Sequence, residues 1–146
     1  MATSTNLVFC YKGLMYAIDH LQDPQNSNEL THYQEGVVKY PGVVPSSDPS
    51  HKVKGMLFAL PEEEEERREM LKKLDIYEGV VGYVSRDDMA EYERKKVTVH
   101  VPSHDTEKEQ ETWMYLWRLP VEKLELVKEG DYYIYNNKKN KQKTNN

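Results

Sequence analysis

The stretch LVFCYKGLMYAID, Leu7 to Asp19, decides how the chain is read. Leu7 to Tyr11 is rich in β-branched, aromatic and other apolar residues and predicts a strand, and the run then meets Tyr11-Lys12-Gly13-Leu14. Gly13 is a turn residue, so the strand is expected to end there in a loop. MYAIDHL after it predicts a short helix, stopped by the turn-rich QDPQNSN around Pro24. A lysine in that loop either marks a simple reversal of the chain or holds something.

Working outward, four more segments read as strands: Val37 to Tyr40, Val53 to Leu60, Val97 to Val101 and Trp113 to Trp117, each bounded by clusters of Pro, Gly, Ser or Asp. In HKVKGMLFAL, Val53, Gly55, Leu57 and Ala59 share one side with His51, and Met56, Phe58 and Leu60 share the other. Apolar residues on both sides imply a closed or covered sheet. In KKVTVHV the valines 97, 99 and 101 point inward and Thr98 and His100 outward, the pattern of a strand with one wet face. VPSSDPSH, SRDDMAE and PSHDTEKEQE are expected as loops.

One segment reads as helix, PEEEEERREMLKKLDIYEG, Pro61 to Gly79. Proline suits the first helical position, the five glutamates sit at the positive end of the dipole, and Lys72 and Lys73 lie toward the negative end. Met70, Leu71, Leu74 and Tyr77 recur at three- and four-residue spacing as a buried stripe, and Gly79 is the C-terminal cap. NNKKNKQKTNN at the C-terminus is polar and basic, without periodicity, and is expected to be disordered. The expected organisation is a single domain over residues 1–135 and a basic tail over 136–146.

The composition narrows the function classes. Charged residues make up 31% and apolar ones 38% of 146 residues, outside the corner where chains stay unfolded. No apolar run approaches a membrane span, and MATSTN lacks the basic and apolar regions of a secretory signal. Cys10 is the single cysteine and has no internal disulfide partner, in keeping with a reducing compartment. These features predict a cytoplasmic protein with no membrane partner. A net charge of −5 opposes nucleic acid, and the Lys-rich tail has no aromatic platform on which bases would stack, so no nucleic-acid partner is expected.

The common chemical scaffolds are missing. Histidines 20, 32, 51, 100 and 104 form no metal-type pair, and there is no phosphate loop and no nucleophile-elbow serine. No cofactor and no metal is expected. Cys10, in an apolar strand, reads as a packing residue. A carboxylate in an odd place remains: Asp75 and Glu78 lie at the end of the helix, where acidic residues oppose the dipole. They are either exposed, fraying residues or a local conflict of the kind that functional sites contain.

The order of segments resembles the gamma-glutamylcyclotransferase-like superfamily, in particular its avirulence-induced-protein and gamma-glutamylamine cyclotransferase-like branch. FCYKGLM resembles the family's Tyr-Gly-Ser/Thr-Leu loop, KYPGVVPS its Tyr-Pro segment, VKGMLFAL its Val-x-Gly-x-Leu strand and LDIYEG its Leu-Asp-x-x-Glu-Gly motif. YERKKVTV and WMYLW follow in the family's order, and the resemblance runs from about Leu7 to Leu119. It implies an α+β fold, a small mixed β-barrel with a few short helices and a pocket at one end. It implies a metal-independent enzyme of transferase or lyase type. In this reaction the α-amine of a gamma-glutamyl group attacks its own side-chain carbonyl and releases an amine and 5-oxoproline.

The family's catalytic glutamate maps to Glu78, as acid and base. The substrate-binding positions map to Tyr11, Lys12, Gly13, Leu14, Tyr92 and Tyr115, with Tyr83 as an alternative to Tyr92 because GVVGYVSRDDMAE is long. A solvated glutamate ionises near about pH 4.3, far below an ammonium, so the reaction asks for a Glu78 raised by burial beside Tyr77, Val80 and Val81. The chain departs from the family at Lys12 and Gly13, where the family has Gly and a small hydroxyl residue. Either Gly13 takes the special backbone angles or the anion nest is lost. Two readings follow: an enzyme acting on a small gamma-glutamyl substrate, or an eroded member of the fold that binds a metabolite or a protein. The leaving amine and the oligomeric state are not set by the sequence.

Overall fold

A computed structural model describes residues 7–18, 39–80, 82–83, 86–103 and 106–144. Over these residues it is an α+β fold: a six-stranded antiparallel sheet with two α-helices and a 3-10 turn at Asp87–Met89. The strands are β1 (Leu7–Ile18), β2 (Tyr40–Pro45), β3 (Lys52–Leu57), β4 (Tyr92–Ser103), β5 (Thr106–Trp117) and β6 (Glu125–Leu126). The helices are α1 (Glu64–Glu78) and α2 (Tyr132–Thr144). Among the described residues the sheet is not closed, which corrects the expected barrel to an open sheet.

Strand β1 is the hub, and it does not stop at Tyr11. Leu7 to Lys12 pairs with β3 and Gly13 to Ile18 pairs with β2, so the strand changes partner without turning. At the change the Gly13 N–H donates to the His51 carbonyl at 3.1 Å and the Ser46 N–H to the Lys12 carbonyl at 3.2 Å. With those backbone groups satisfied, no turn is needed. A Cβ on Gly13 would lie 2.6 Å from the Val44 carbonyl oxygen and 3.0 Å from the Tyr11 ring. The glycine is there for close approach of β2, and it is not one of the described glycines with positive φ. The helix expected over MYAIDHL is replaced by strand through Ile18; its remaining residues lie outside the described part, as do Val37 and Val38 of the expected second strand.

Period-two burial explains which side of β1 makes the core. Phe9, Tyr11, Met15 and Ala17 are buried, with Val53 of β3, Val99 and Val101 of β4 and Leu116 of β5. Val97, Val99 and Val101 face inward as expected, whereas Met56 and Phe58 on the other side of the β3 segment are exposed, Phe58 by 72%. Strands β4 and β5 form a long hairpin in continuous register from Tyr92↔Trp117 to Ser103↔Thr106. The expected loop TEKEQE is therefore its second strand, and its charged, exposed residues keep the outer part of the hairpin soluble.

Helix α1 begins with Glu64, Glu65 and Glu66 in its first turn and has no basic residue in its last, because Lys72 and Lys73 fall earlier. The expected apolar stripe is not buried: Met70, Leu74 and Tyr77 are exposed and Leu71 is half-buried, and the only buried residue is Asp75. Polar contacts, described below, hold its end to the sheet. The tail expected to be disordered from residue 136 instead continues α2 to Thr144. Tyr135 buries its ring in the core and donates to Glu125 Oε2 at 2.5 Å, and Lys138 and Lys139 pair with Glu129 and Glu125. Those contacts tie the first turns of α2 to the body.

Candidate active site

Glu78 is the last residue of α1, and the chain leaves the helix through Gly79 at φ 66° and ψ 49°. The Val80 N–H returns to the Asp75 carbonyl at 3.2 Å and the Gly79 N–H to the Ile76 carbonyl at 3.2 Å, a Schellman-type ending. Val80 is then buried and bridges to Tyr92, the first residue of β4. This short path carries the helix end onto the sheet and points Glu78 into a cavity.

The cavity has a volume of about 690 Å³ and is lined by Tyr40, Pro41, Val43, Tyr77, Glu78, Glu91, Tyr92 and Tyr115. Strand β2 supplies one wall, the junction before β4 and the end of β5 another, and the end of α1 the third. The Tyr40 hydroxyl donates to Glu91 Oε2 at 2.8 Å, the Tyr92 hydroxyl to the Pro41 carbonyl at 2.9 Å and the Tyr115 hydroxyl to Asp75 Oδ1 at 2.7 Å. The same Asp75 receives Arg94 in two contacts, Nε at 2.7 Å and Nη2 at 3.2 Å. Arg94 in turn lies 4.3 Å from the centre of the Trp113 ring.

The electrostatics follow from partial burial. Desolvation first, and the nearby Glu91 charge second, hold the Glu78 carboxyl above the usual glutamate range. Burial pushes the Tyr40, Tyr92 and Tyr115 hydroxyls well above the ordinary tyrosine range, reinforced at Tyr40 by its bond to Glu91 and at Tyr115 by its bond to Asp75. The three phenols therefore remain protonated donors. Among the described residues no group of His, Cys, Asp and Glu side chains is arranged to hold a metal ion. The arrangement can move a proton through one carboxylate and orient polar groups through three hydroxyls.

The family described as Gamma-glutamyl cyclotransferase, AIG2-like, matches residues 8–134. The chain belongs to this gamma-glutamyl cyclotransferase family. No curated protein and no solved structure matches it. The family match spans the chain from β1 to the first turn of α2 and contains every residue that lines the cavity.

Within this gamma-glutamyl cyclotransferase domain, Glu78, Tyr92 and Tyr115 of the expected site come together at one cavity. Tyr83 lies instead at a neighbouring cleft with Asp75, Arg94 and Trp113. The other four expected residues are elsewhere. Tyr11 is buried in the core, Lys12 is exposed opposite Lys52, and Gly13 and Leu14 are mid-strand in β1, bordering a small cleft with His51 and Gly130. Tyr11, Lys12, Gly13 and Leu14 do not line the Glu78 cavity, because β1 continues straight where a loop was expected. Lys12, the departure from the family pattern that favours an eroded member, does not line this cavity. Val81, expected beside Glu78, lies outside the described residues.

Three contributors were not singled out from the sequence: Tyr40, Glu91 and Asp75 in its structural role. Asp75 carried a signal, since an acidic residue at a helix C-terminus is unfavourable until it is paired. Tyr40 stands in the Tyr-Pro segment of the family resemblance, but Glu91 carried no signal, because their meeting spans 51 positions of sequence.

Proposed function

We propose that the chain is an enzyme that cyclises a gamma-glutamyl amine or a small gamma-glutamyl peptide to 5-oxoproline, with Glu78 as its acid and base. The observation that supports this most is the position of Glu78 in a family-matched domain: a carboxylate at a helix end, opening into a cavity of about 690 Å³ and raised above the usual glutamate range by burial and by Glu91. A raised carboxyl narrows the gap to the α-ammonium it must deprotonate, by about 1.36 kcal/mol for each pKa unit.

In the proposed reaction Glu78 takes a proton from the α-ammonium, and the freed nitrogen attacks the δ-carbonyl carbon of the same gamma-glutamyl group. A five-membered ring closes as the C–N bond to the leaving amine breaks. Two protons leave the α-nitrogen in all and both end on the released amine, which departs as an ammonium; no water is consumed. Glu78 carries the proton between the two nitrogens. The Tyr92 and Tyr115 rings bound the space in which the side chain must fold back on itself, a positioning role.

Incubation of the purified protein with a panel of gamma-glutamyl amines and gamma-glutamyl dipeptides tests the reading, with 5-oxoproline measured by mass spectrometry. Release from at least one substrate is expected, together with its loss in a folded Glu78→Gln variant. Turnover that survives in Glu78→Gln rules out Glu78 as the acid and base.

A further inference from the structure

We propose that Glu91 is a second functional carboxylate of the cavity, oriented by the Tyr40 hydroxyl, and that it receives the cationic ammonium of the substrate beside Glu78. The proposal rests on the reading of this cavity as the reaction site, and it assigns the binding of one substrate group to one residue.

Three observations carry it. First, Glu91 is built in rather than loosely exposed. Its Oε2 accepts from Tyr40, its backbone carbonyl accepts from the Arg118 N–H at 2.9 Å, and an Arg118 Nη1 contact of 2.9 Å to the Ala90 carbonyl fixes the preceding residue. Tyr40 is itself held by ring contact with Tyr92, centroids 6.4 Å apart. Second, the cavity has an unbalanced charge: two glutamates line it, and among the described residues lining it none is Lys, Arg or His. Third, the phenols around it stay protonated and donate their protons elsewhere, Tyr40 to Glu91, Tyr92 to Pro41 and Tyr115 to Asp75. Over the described residues the site is complementary to a positive group and offers no cation to a substrate carboxylate.

The chemistry gives such a residue work at both ends of the reaction. The substrate enters with an α-ammonium and the product amine leaves as an ammonium, so a fixed negative charge beside the proton carrier holds each cation within reach of Glu78. One Glu91 oxygen is already engaged by Tyr40, which leaves the carboxylate its other oxygen for the ligand. Among the described residues the titratable groups facing Glu78 are Tyr77 on its own helix, Tyr40 from β2, Glu91 just before β4, Tyr92 at its start, and Tyr115 from β5 with the Asp75 and Arg94 pair behind it. Of these Glu91 is the group whose charge acts on Glu78 after burial itself.

The test uses the full chain and needs no turnover. The Glu78 side-chain carboxyl is followed by NMR of protein labelled with 13C at the glutamate carboxyls, its signal identified by its loss in Glu78→Gln. Wild type, Glu91→Gln and Tyr40→Phe are titrated with n-butylammonium and, separately, with butyrate. Saturable perturbation by butylammonium in the wild type is expected, weakened at least about fivefold in Glu91→Gln and about twofold in Tyr40→Phe, where Glu91 is present but no longer oriented. The Glu78 titration midpoint is expected to fall in Glu91→Gln. Equal butylammonium affinity in all three proteins, or tighter binding of butyrate than of butylammonium by the wild type, overturns the proposal. The two readings fail separately. A wild type that binds butylammonium through Glu91 but yields no 5-oxoproline contradicts the cyclisation alone, and turnover with a KM unchanged in Glu91→Gln contradicts the role of Glu91 alone.

Discussion

Asp75 and Arg94 form a two-point ion pair that joins the last turn of α1 to β4, with Nε to Oδ1 at 2.7 Å and Nη2 to Oδ2 at 3.2 Å. The Asp75 side chain is 8% exposed and that of Arg94 22%, while Met70, Leu74, Ile76 and Tyr77 of the same helix are exposed. This pair, more than hydrophobic burial, sets where Glu78 sits three residues later.

Asp75→Ala should therefore lower the unfolding free energy in urea by about 3 kcal/mol, since it strands a largely buried guanidinium and the Tyr115 hydroxyl together. Tyr115→Phe should cost about 1.5 kcal/mol, the scale of a hydrogen bond to a charged group. The double variant should cost clearly less than the sum, because both changes remove the same bond. Strict additivity would mean that the two residues do not act as one network.

Glu78→Gln should make the protein more stable near neutral pH while removing turnover. The folded carboxyl holds its proton to higher pH than the unfolded chain, whose value lies near 4.5. The folded state then binds more protons, so stability is fullest below that value and is lost as pH rises through the raised folded value. Glutamine, which carries no charge to desolvate, removes this loss. Thermal melts across pH should show the variant and wild type converging toward about pH 4 and separating above it. The acid limb of the kcat/KM profile of the wild type should likewise lie above an ordinary glutamate's, because the base must be ionised to act.

Gly79→Ala should cost about 1 kcal/mol, since a side chain at φ 66° occupies the left-handed region. Relief of that strain would rotate the end of α1, so activity should fall more than stability does. A comparison of the urea midpoint with the rate of 5-oxoproline release measures both.

Lys12→Gly restores the family's residue at a position that does not line the cavity. Its expected effect on 5-oxoproline release is none. In mid-strand the glycine should cost up to about 1 kcal/mol, partly offset because Lys12 and Lys52 are like charges directly opposite one another. A gain in turnover would instead tie this part of β1 to the reaction.

Much of this was legible in the residues themselves. The period-two valines of β4, the long helix with its glutamates first and Gly79 last, and the family pattern around LDIYEG are local signals that need no partner to be read. The errors had local causes too. Gly13 reads as a turn because glycine is usually chosen for its backbone angles, but here it makes room for the Val44 carbonyl of a neighbouring strand. The stripe of Met70, Leu74 and Tyr77 reads as buried because of its spacing, yet the helix is anchored through Asp75. The charged TEKEQE reads as loop, and it is strand because β4 offers it a continuous ladder.

Sequence alone determined the α+β class, the family and the candidate glutamate, since these depend on residue types and their order. Only the tertiary structure decided what stands around that glutamate. Tyr40 and Glu91 meet across 51 positions and Tyr115 and Asp75 across 40, contacts that exist because antiparallel pairing and the turn at Gly79 bring distant side chains to one cavity. The raised carboxyl of Glu78 is a product of that convergence: burial was readable from its apolar neighbours, but the Glu91 charge acts through space and is not written in the residues next to it.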